Sequence, residues 1–277
     1  MRRSTEDNAI LEATARLCES LKHETHAAVL RPLRAKVAKL WKAFFRRQRN
    51  AVLRTVAQPL RNELAKAETR EADAPVRRGG QRFAKSVLPD SLQPLKFGLT
   101  NAQATSYGAA IEEAILQAGL TLAAELRSEA SLGQSVVSEY LRENSLSKLT
   151  GGINETTTQA LRDSLAADYE AVATYGEIVQ GIRDVYAGFQ ETRADMIAQT
   201  ELNDAYNQGR LAMANDLDMD EKAWDADGTE ACEDICQPNV DQDWIPIDDD
   251  FDSGDDAPPA HPNCDCGISF RKGSQAT

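Results

Sequence analysis

Five residues near the carboxyl end of the chain have the types and spacing of metal ligands. Cys232 and Cys236 form a C-x3-C pair, and His261, Cys264 and Cys266 follow as H-x2-C-x-C. Structural zinc sites take four Cys or His ligands in a tetrahedron, commonly two from each of two loops. The spacing therefore predicts one structural Zn²⁺ ion that is held by four of these five side chains.

Two alternatives to zinc stay open at this point. Two disulfides would join the same loops in an oxidising compartment, and otherwise the cysteines would be free thiols. No apolar h-region follows the first residues, so we expect no secretory signal and a reducing, cytoplasmic setting. The chain has no run of 18 apolar residues, which argues against a membrane-spanning helix. A reducing setting favours metal ligands over disulfides.

Few residues point to catalysis. The chain lacks the G-x-S-x-G, P-loop and H-E-x-x-H motifs. His261 also lacks the H-x-E context of zinc deaminases. Thr200 and Glu201 lie together on a predicted helix, where a surface carboxylate is the simpler interpretation of Glu201. We therefore expect no enzyme, and a metal-dependent nuclease or hydrolase centred on His261 is the catalytic alternative.

Charge is distributed unevenly along the chain. The 31 Lys and Arg against 44 Asp and Glu give a net charge of −13. Residues 1–100 carry 21 basic and 10 acidic side chains, whereas residues 201–277 carry 4 and 20. A basic segment attracts nucleic acid or an acidic protein surface, so we expect partner or DNA contact there. The candidate contact residues are Arg31, Arg34, Lys36, Lys39, Lys42, Arg46, Arg47 and Arg49.

The elements that must position these residues are mostly helical. Residues 1–100 are predicted to form a basic helical arm that ends in a Pro/Gly-rich linker, and residues 101–190 a helical middle region. Pro32 is expected to break or kink a helix, and Gly151-Gly152 to separate two others. An apolar stripe at helical spacing indicates the core-facing side of the arm. It consists of Leu33, Val37, Leu40, Trp41 and Phe44.

Beyond Asn215 the sequence changes to short apolar patches separated by turn residues. The patches around Trp224, 244–247 and 268–270 predict short β-strands in one small sheet. Long loops join them, and the Cys/His cluster is predicted to hold these loops together. The predicted fold class is mainly α with a small α+β C-terminal domain, in which long helices precede a long helix packed on the short-stranded sheet.

A series of residues between 193 and 270 carries a family resemblance. They are Arg193, Thr200, Glu201 and Asn207 on the helix, then Trp224, the Cys232/Cys236 pair, Trp244, and the phrase P-P-A-H-P-N-C-D-C that ends at Cys266. This series resembles the C-terminal domain of the phage Mu F-like minor head proteins, the phage head morphogenesis domain family. The resemblance assigns residues 191–277 to that domain.

The resemblance implies a structural role in a tailed bacteriophage or phage-like element. It implies a low-copy minor capsid protein that associates with the portal protein during procapsid assembly and DNA packaging or delivery. Major capsid or scaffolding protein and phage DNA are further implied partners. The implied location is the procapsid interior near the portal, and the host cytoplasm during assembly. A DNA-binding module that uses the basic arm is the non-enzymatic alternative.

Two positions depart from the family pattern. Asp265 stands where the family usually has Arg, and the first cysteine pair is C-x3-C instead of C-x2-C. The first departure puts an anion-facing role of that position in doubt. The second loosens the predicted zinc site.

Overall fold

The computed structural model describes residues 26–54, 97–128, 130–144, 146–170, 175–226 and 234–273. Its helices are α1 (His26–Val52), α2 (Asn101–Glu125), α3 (Gln134–Glu143), α4 (Leu146–Glu170), α5 (Tyr175–Gly188), α6 (Ala194–Asp216) and α7 (Cys236–Asp241). A π-helical turn, Phe189–Arg193, precedes α6. The strands are β1 (Glu221–Asp225), β2 (Trp244–Pro246) and β3 (Gly267–Arg271). The predicted class, mainly helical with a small C-terminal sheet, is confirmed.

The internal contacts divide the chain into two compact units. The sheet unit takes its described residues from Met1–Ala38, Thr105–Glu143 and Asp195–Thr277. The aromatic unit takes its described residues from Lys39–Ala104 and Asn144–Ala194. The three-part division that the sequence suggested stays a prediction. No described helix combines the length and apolar character needed to cross a membrane.

Helix α1 buries the predicted apolar stripe. Leu33 and Val37 are buried in the sheet unit, and Leu40, Trp41 and Phe44 in the aromatic unit. The helix does not end at Pro32, which lies inside it. Pro32 is exposed, and burial of the apolar stripe after it offsets the backbone hydrogen bond that proline removes.

Aromatic side chains form the core of the aromatic unit. The ring centroids of Trp41 and Phe44 lie 5.2 Å apart, those of Phe45 and Phe189 5.4 Å, and those of Tyr186 and Phe189 5.7 Å. Such edge-on and tilted contacts add to the burial of the rings. This core joins α1, α5 and the π-helical turn.

The predicted helix boundary at Gly151-Gly152 is wrong. Helix α4 runs through both glycines, and the break falls between α3 and α4 instead. Ile153 and Asn154 are buried directly after the glycines. Asn154 accepts a hydrogen bond of 2.8 Å from the Gln48 side chain and donates one of 2.9 Å to the Phe97 carbonyl. These contacts offset the poor helix propensity of glycine.

Helix α6 packs closely against α2 in the sheet unit. A Cβ atom added to Gly209 would lie 2.7 Å from the Ile115 carbonyl oxygen and 3.0 Å from the Ala118 Cβ. Arg210, in the next position, donates two hydrogen bonds of 2.9 and 2.8 Å to Glu125 and a third, of 3.0 Å, to the Ile268 carbonyl. The glycine permits the approach, and the arginine connects α6 to both α2 and β3.

The three strands form an antiparallel sheet in the order β2-β1-β3. Lys222 of the central strand pairs with Ile245 on one side and Phe270 on the other. Trp224 and Phe251 pack edge to face with centroids 5.0 Å apart. The predicted strands around Trp224, Trp244 and Ile268 are therefore confirmed.

Candidate metal centre

Three of the five predicted ligands converge in the sheet unit. Cys236 begins α7, while His261 and Cys264 lie in the loop that leads to β3. The Cys236 Sγ is 3.1 Å from the His261 Nε2 and 3.8 Å from the Cys264 Sγ. The three ligand atoms all lie within 4.8 Å of one another. This group could hold a metal ion.

The spacing of the two sulfur atoms fits a tetrahedral zinc site. Two sulfurs bound to one zinc at about 2.3 Å with tetrahedral angles lie about 3.8 Å apart. The observed distance between Cys236 Sγ and Cys264 Sγ is the same, 3.8 Å. A disulfide would need about 2.05 Å, and Cys236, Cys264 and Cys266 are free cysteines. Cys232 lies outside the described residues.

The histidine ring is oriented for ligation through Nε2. The His261 Nδ1 lies 2.9 Å from the Pro262 carbonyl oxygen, which can only accept a hydrogen bond. A hydrogen bond to this carbonyl uses Nδ1, which leaves Nε2, 3.1 Å from the Cys236 Sγ, as the ring nitrogen that can bind a metal. A carbonyl that fixes the second ring nitrogen is the usual outer partner of a metal-bound histidine.

Cys264 has the more acidic thiol of the C-x-C pair. A hydrogen bond from the Cys266 thiol lowers the pKa of Cys264 below its usual range, against the effect of burial. The pKa of Cys266 is raised, first by that same hydrogen bond and then by burial. Metal ligation needs a thiolate. Cys264 is therefore prepared as a ligand, while Cys266 acts as a hydrogen-bond donor to it.

One face of α6 holds the backbone of the cysteine loop, which we define as residues 261–266. Asn203 Nδ2 donates to the Cys264 and Cys266 carbonyls at 3.2 and 3.0 Å. Asn207 Nδ2 donates to the Cys266 carbonyl at 3.2 Å. The Thr200 hydroxyl accepts a hydrogen bond of 2.9 Å from the Asn263 amide. Both asparagines are fully buried, so these carbonyls have fixed protein partners instead of water.

Asn263 gives the cysteine loop its turn. Its φ of 64° lies in the left-handed region, which asparagine tolerates better than most residues. Its carbonyl also accepts a hydrogen bond of 3.3 Å from the Gln199 side chain. The turn brings Cys264 back toward Cys236.

The four predicted motif residues of the helix have different positions. Thr200 and Asn207 bind the cysteine loop, as described above. Arg193 belongs to the aromatic unit, where it donates to the hydroxyls of Thr156 and Thr157 and lies 4.7 Å above the Phe189 ring. Glu201 accepts a hydrogen bond of 2.9 Å from the Tyr107 hydroxyl. Within the described part of the chain, therefore, only Thr200 and Asn207 of these four residues contact the candidate metal centre.

Glu201 is half-buried and hydrogen-bonded, where the sequence suggested a surface carboxylate. Burial raises the pKa of Glu201 to about 7, against the hydrogen bond from Tyr107 and with a further rise from the charge of Asp204. Burial likewise raises the pKa of Asp204 to about 6, and its carboxylate accepts a hydrogen bond of 2.6 Å from Tyr140. Two half-buried carboxylates thus connect α6 to α2 and α3 through tyrosine hydroxyls.

The predicted basic contact residues fall into three groups. Arg34 pairs with Asp265, and Arg47 donates to Gln103 and to the Gly98 carbonyl, so both have partners within their own units. Lys42 and Arg49 are half-buried. The exposed members are Arg31, Lys36, Lys39 and Arg46, which we call the basic face. These four side chains are available to another molecule.

Sequence reasoning missed two contributors to this site. Asn203 lies four residues before Asn207 on the same helix face, so its spacing carried a signal that the motif search did not use. The pairing of Arg34 with Asp265 spans 231 residues of sequence, and no local pattern indicates it.

Comparison with known families gives one match. Residues 150–269 match the family described as Phage Mu protein F like protein. The matched segment begins in α4 and ends in β3, so it contains α6, the sheet and the candidate metal centre. No curated protein and no solved structure matches the chain.

Proposed function

We propose that this chain is a minor head protein of a tailed phage or phage-like element, because residues 150–269 match the Phage Mu protein F like family of phage head morphogenesis proteins. It is a structural component, present in few copies. It associates with the portal protein during procapsid assembly and acts in DNA packaging or delivery. The family match across α6 and the sheet is the observation that carries this proposal.

The basic face of α1 is the proposed contact with the portal or another head protein. Arg31, Lys36, Lys39 and Arg46 are exposed and lie on the side of α1 opposite the buried stripe. Four cations on one helix complement an acidic protein surface and raise the rate and specificity of association. Phage DNA is the alternative occupant of this face, because its phosphates attract the same cations.

The candidate metal centre is proposed to be a structural zinc site. Cys236, His261 and Cys264 supply three ligands, and the fourth comes from Cys232 or Cys266. A bound zinc would cross-link α7 to the cysteine loop and contribute free energy of folding. No observation on the described residues favours the hydrolase alternative.

The test is incorporation of the chain into procapsids. One variant carries Arg31→Glu, Lys36→Glu, Lys39→Glu and Arg46→Glu. A control carries the same number of charge reversals at exposed arginines elsewhere, Arg127→Glu, Arg142→Glu, Arg162→Glu and Arg183→Glu. Copies of the chain per portal ring are measured by quantitative mass spectrometry of purified procapsids.

We expect a few copies per procapsid for the wild type and the control, and loss of incorporation for the basic-face variant. Absence of the wild-type chain from procapsids would overturn the proposed function. Normal incorporation of the basic-face variant would overturn the assignment of that face. If that variant enters procapsids but loses salt-dependent binding to duplex DNA, DNA is the occupant.

A further inference from the structure

Two different elements contact the cysteine loop in different ways. The hydrogen bonds from α6 go to backbone atoms of residues 263, 264 and 266. Helix α1 instead contacts a side chain, because the Arg34 guanidinium pairs with the Asp265 carboxylate. Asp265 lies between Cys264 and Cys266 in sequence. The ion pair therefore joins α1 to the segment that carries a candidate metal ligand.

This ion pair has the properties of a specific contact within the sheet unit. The side chain of Arg34 is 19% exposed and that of Asp265 is 27% exposed. Pairs with reduced solvent access are screened less than pairs on the open surface, and a charge-assisted hydrogen bond is stronger than a neutral one. Loss of either partner would leave the other half-buried without its counter-charge, which is costly.

The position of the Asp265 carboxylate depends on the conformation of the cysteine loop. Cys264 precedes Asp265 directly, and its carbonyl is fixed by Asn203. The Cys264 sulfur is the part of this segment that faces Cys236 and His261. Fixing that sulfur restricts the backbone dihedrals at Cys264, and those dihedrals set the direction of the Asp265 side chain. A metal ion bound to Cys264 can therefore affect α1 through Asp265, the residue that follows Cys264 in the chain and pairs with Arg34.

We propose that occupation of the Cys236–His261–Cys264 centre by a divalent metal ion is coupled to the docking of the first half of α1, residues 26–38, through the Arg34–Asp265 ion pair. The inference rests on the proposed metal site and adds a regulatory property to it. Binding of the metal favours the docked helix, and loss of the metal releases it. Coupling of this kind is reciprocal in free energy.

Arg34 and Asp265 carry opposite charges at the two ends of this contact. An exchange of the two charges should therefore preserve the pair, whereas either single change should remove it.

The experiment is hydrogen exchange of the full chain with and without Zn²⁺, with zinc per chain measured in parallel. In the wild type, we expect exchange of the amides of residues 30–38 to slow about tenfold on zinc loading, because the ion pair then holds the docked helix more firmly. In Arg34→Gln and in Asp265→Asn, exchange should be fast in both conditions. The double variant with Arg34→Asp and Asp265→Arg should regain the response to zinc.

Two controls separate this effect from general loss of structure. Arg47→Gln changes another arginine of α1 whose described partners, Gln103 and Gly98, lie in the aromatic unit, so the zinc response of residues 30–38 should remain. Exchange in α5, which belongs to the aromatic unit, should not respond to zinc in any variant.

Each failure has a distinct signature. About one zinc per chain with unchanged exchange at residues 30–38 would overturn the coupling and leave the zinc site standing. Zinc-dependent exchange that persists in both single variants would show that the ion pair does not transmit it. Failure to bind zinc at all would overturn the metal site and the coupling together, without affecting the assignment to phage heads.

Discussion

At the scale of single residues, the candidate metal centre depends on which sulfur and nitrogen atoms face one another. The ligand atoms of Cys236, His261 and Cys264 all lie within 4.8 Å of one another, and Cys266, which is also described, is outside this group. The fourth ligand of the proposed site is therefore expected to be Cys232.

Serine variants of the two cysteines test this choice. Cys232→Ser should lose most of the bound zinc, because a structural site needs four protein ligands. Cys266→Ser should keep about one zinc per chain, with affinity reduced by roughly 10- to 100-fold at most, as expected for an outer partner. Zinc content by mass spectrometry after dialysis provides the measurement, and His261→Ala is the control for loss of a ligand. The opposite ranking of the two serine variants would make Cys266 the ligand.

The half-buried carboxylates of Glu201 and Asp204 predict a pH-dependent stability. Burial raises the pKa of Glu201 from 4.5 to about 7 and that of Asp204 from 3.8 to about 6. Between pH 4 and 7 the folded chain therefore keeps protons that the unfolded chain releases, so this contribution to stability falls as pH rises. The effect of Glu201 alone is roughly 3 kcal/mol at most.

Urea unfolding at pH 5 and pH 8 checks this prediction. The wild type should lose more stability between the two pH values than a variant with Glu201→Gln and Asp204→Asn, since amides do not titrate. The exposed pair Asp216→Asn and Glu113→Gln serves as a control that should behave like the wild type. Equal pH slopes in all three proteins would mean that the two half-buried carboxyl groups titrate normally.

At the scale of the elements, helix α6 packs closely against α2 and also binds the cysteine loop. The approach is possible because Gly209 has no side chain, and Ile115 and Ala118 occupy the space beside it. The same helix presents Asn203 and Asn207 to the cysteine loop. A shift of α6 should therefore disturb both helix packing and the metal centre.

Two glycine-to-alanine variants test this packing. Gly209→Ala should destabilise the chain by about 1–3 kcal/mol, the usual cost of overpacking. Gly108→Ala, in α2 and with no atom within 4 Å of the added Cβ, should instead stabilise it by about 0.5–1 kcal/mol because alanine favours the helix. The midpoints of thermal unfolding give the comparison. A Gly209→Ala protein as stable as wild type would refute the close contact.

At the scale of the whole molecule, helix α1 carries both exposed basic side chains and buried aromatic side chains. The chain as a whole is acidic, with a net charge of −13, but the basic face lies on a helix whose other side is core. Deleting the basic arm to test a partner contact would therefore also remove Trp41, Phe44 and Phe45, which are fully buried. Charge reversal at exposed positions separates binding from folding.

Two variants test whether folding depends on α1 as a whole or on its exposed charges. The chain that lacks residues 1–52 should lose cooperative unfolding, because each buried aromatic removed from a core costs about 3–5 kcal/mol. The four-residue reversal of the basic face should unfold within a few degrees of the wild type, because exposed charges contribute little to stability. Circular dichroism during heating is the measurement. Cooperative unfolding of the truncated chain would show that α1 is dispensable for the core.

The sequence by itself determined the helical class, the strand positions, the apolar stripe of α1 and the ligand candidates. These follow from local periodicity and residue type, which neighbouring residues specify. The residues that carry the family resemblance, 193–266, lie within the matched segment 150–269. Local propensity failed at Gly151-Gly152, where buried neighbours outweigh the preference of glycine against helix.

Only the tertiary structure decided which of these residues meet. It separated Arg193 from Thr200 and Asn207, placed Glu201 against Tyr107, and brought Arg34 to Asp265 across 231 positions. Such contacts depend on how the helices pack, and the packing is set by side-chain volume and burial summed over the whole unit. No window of sequence contains that sum, so the partners of charged residues could not be identified from spacing.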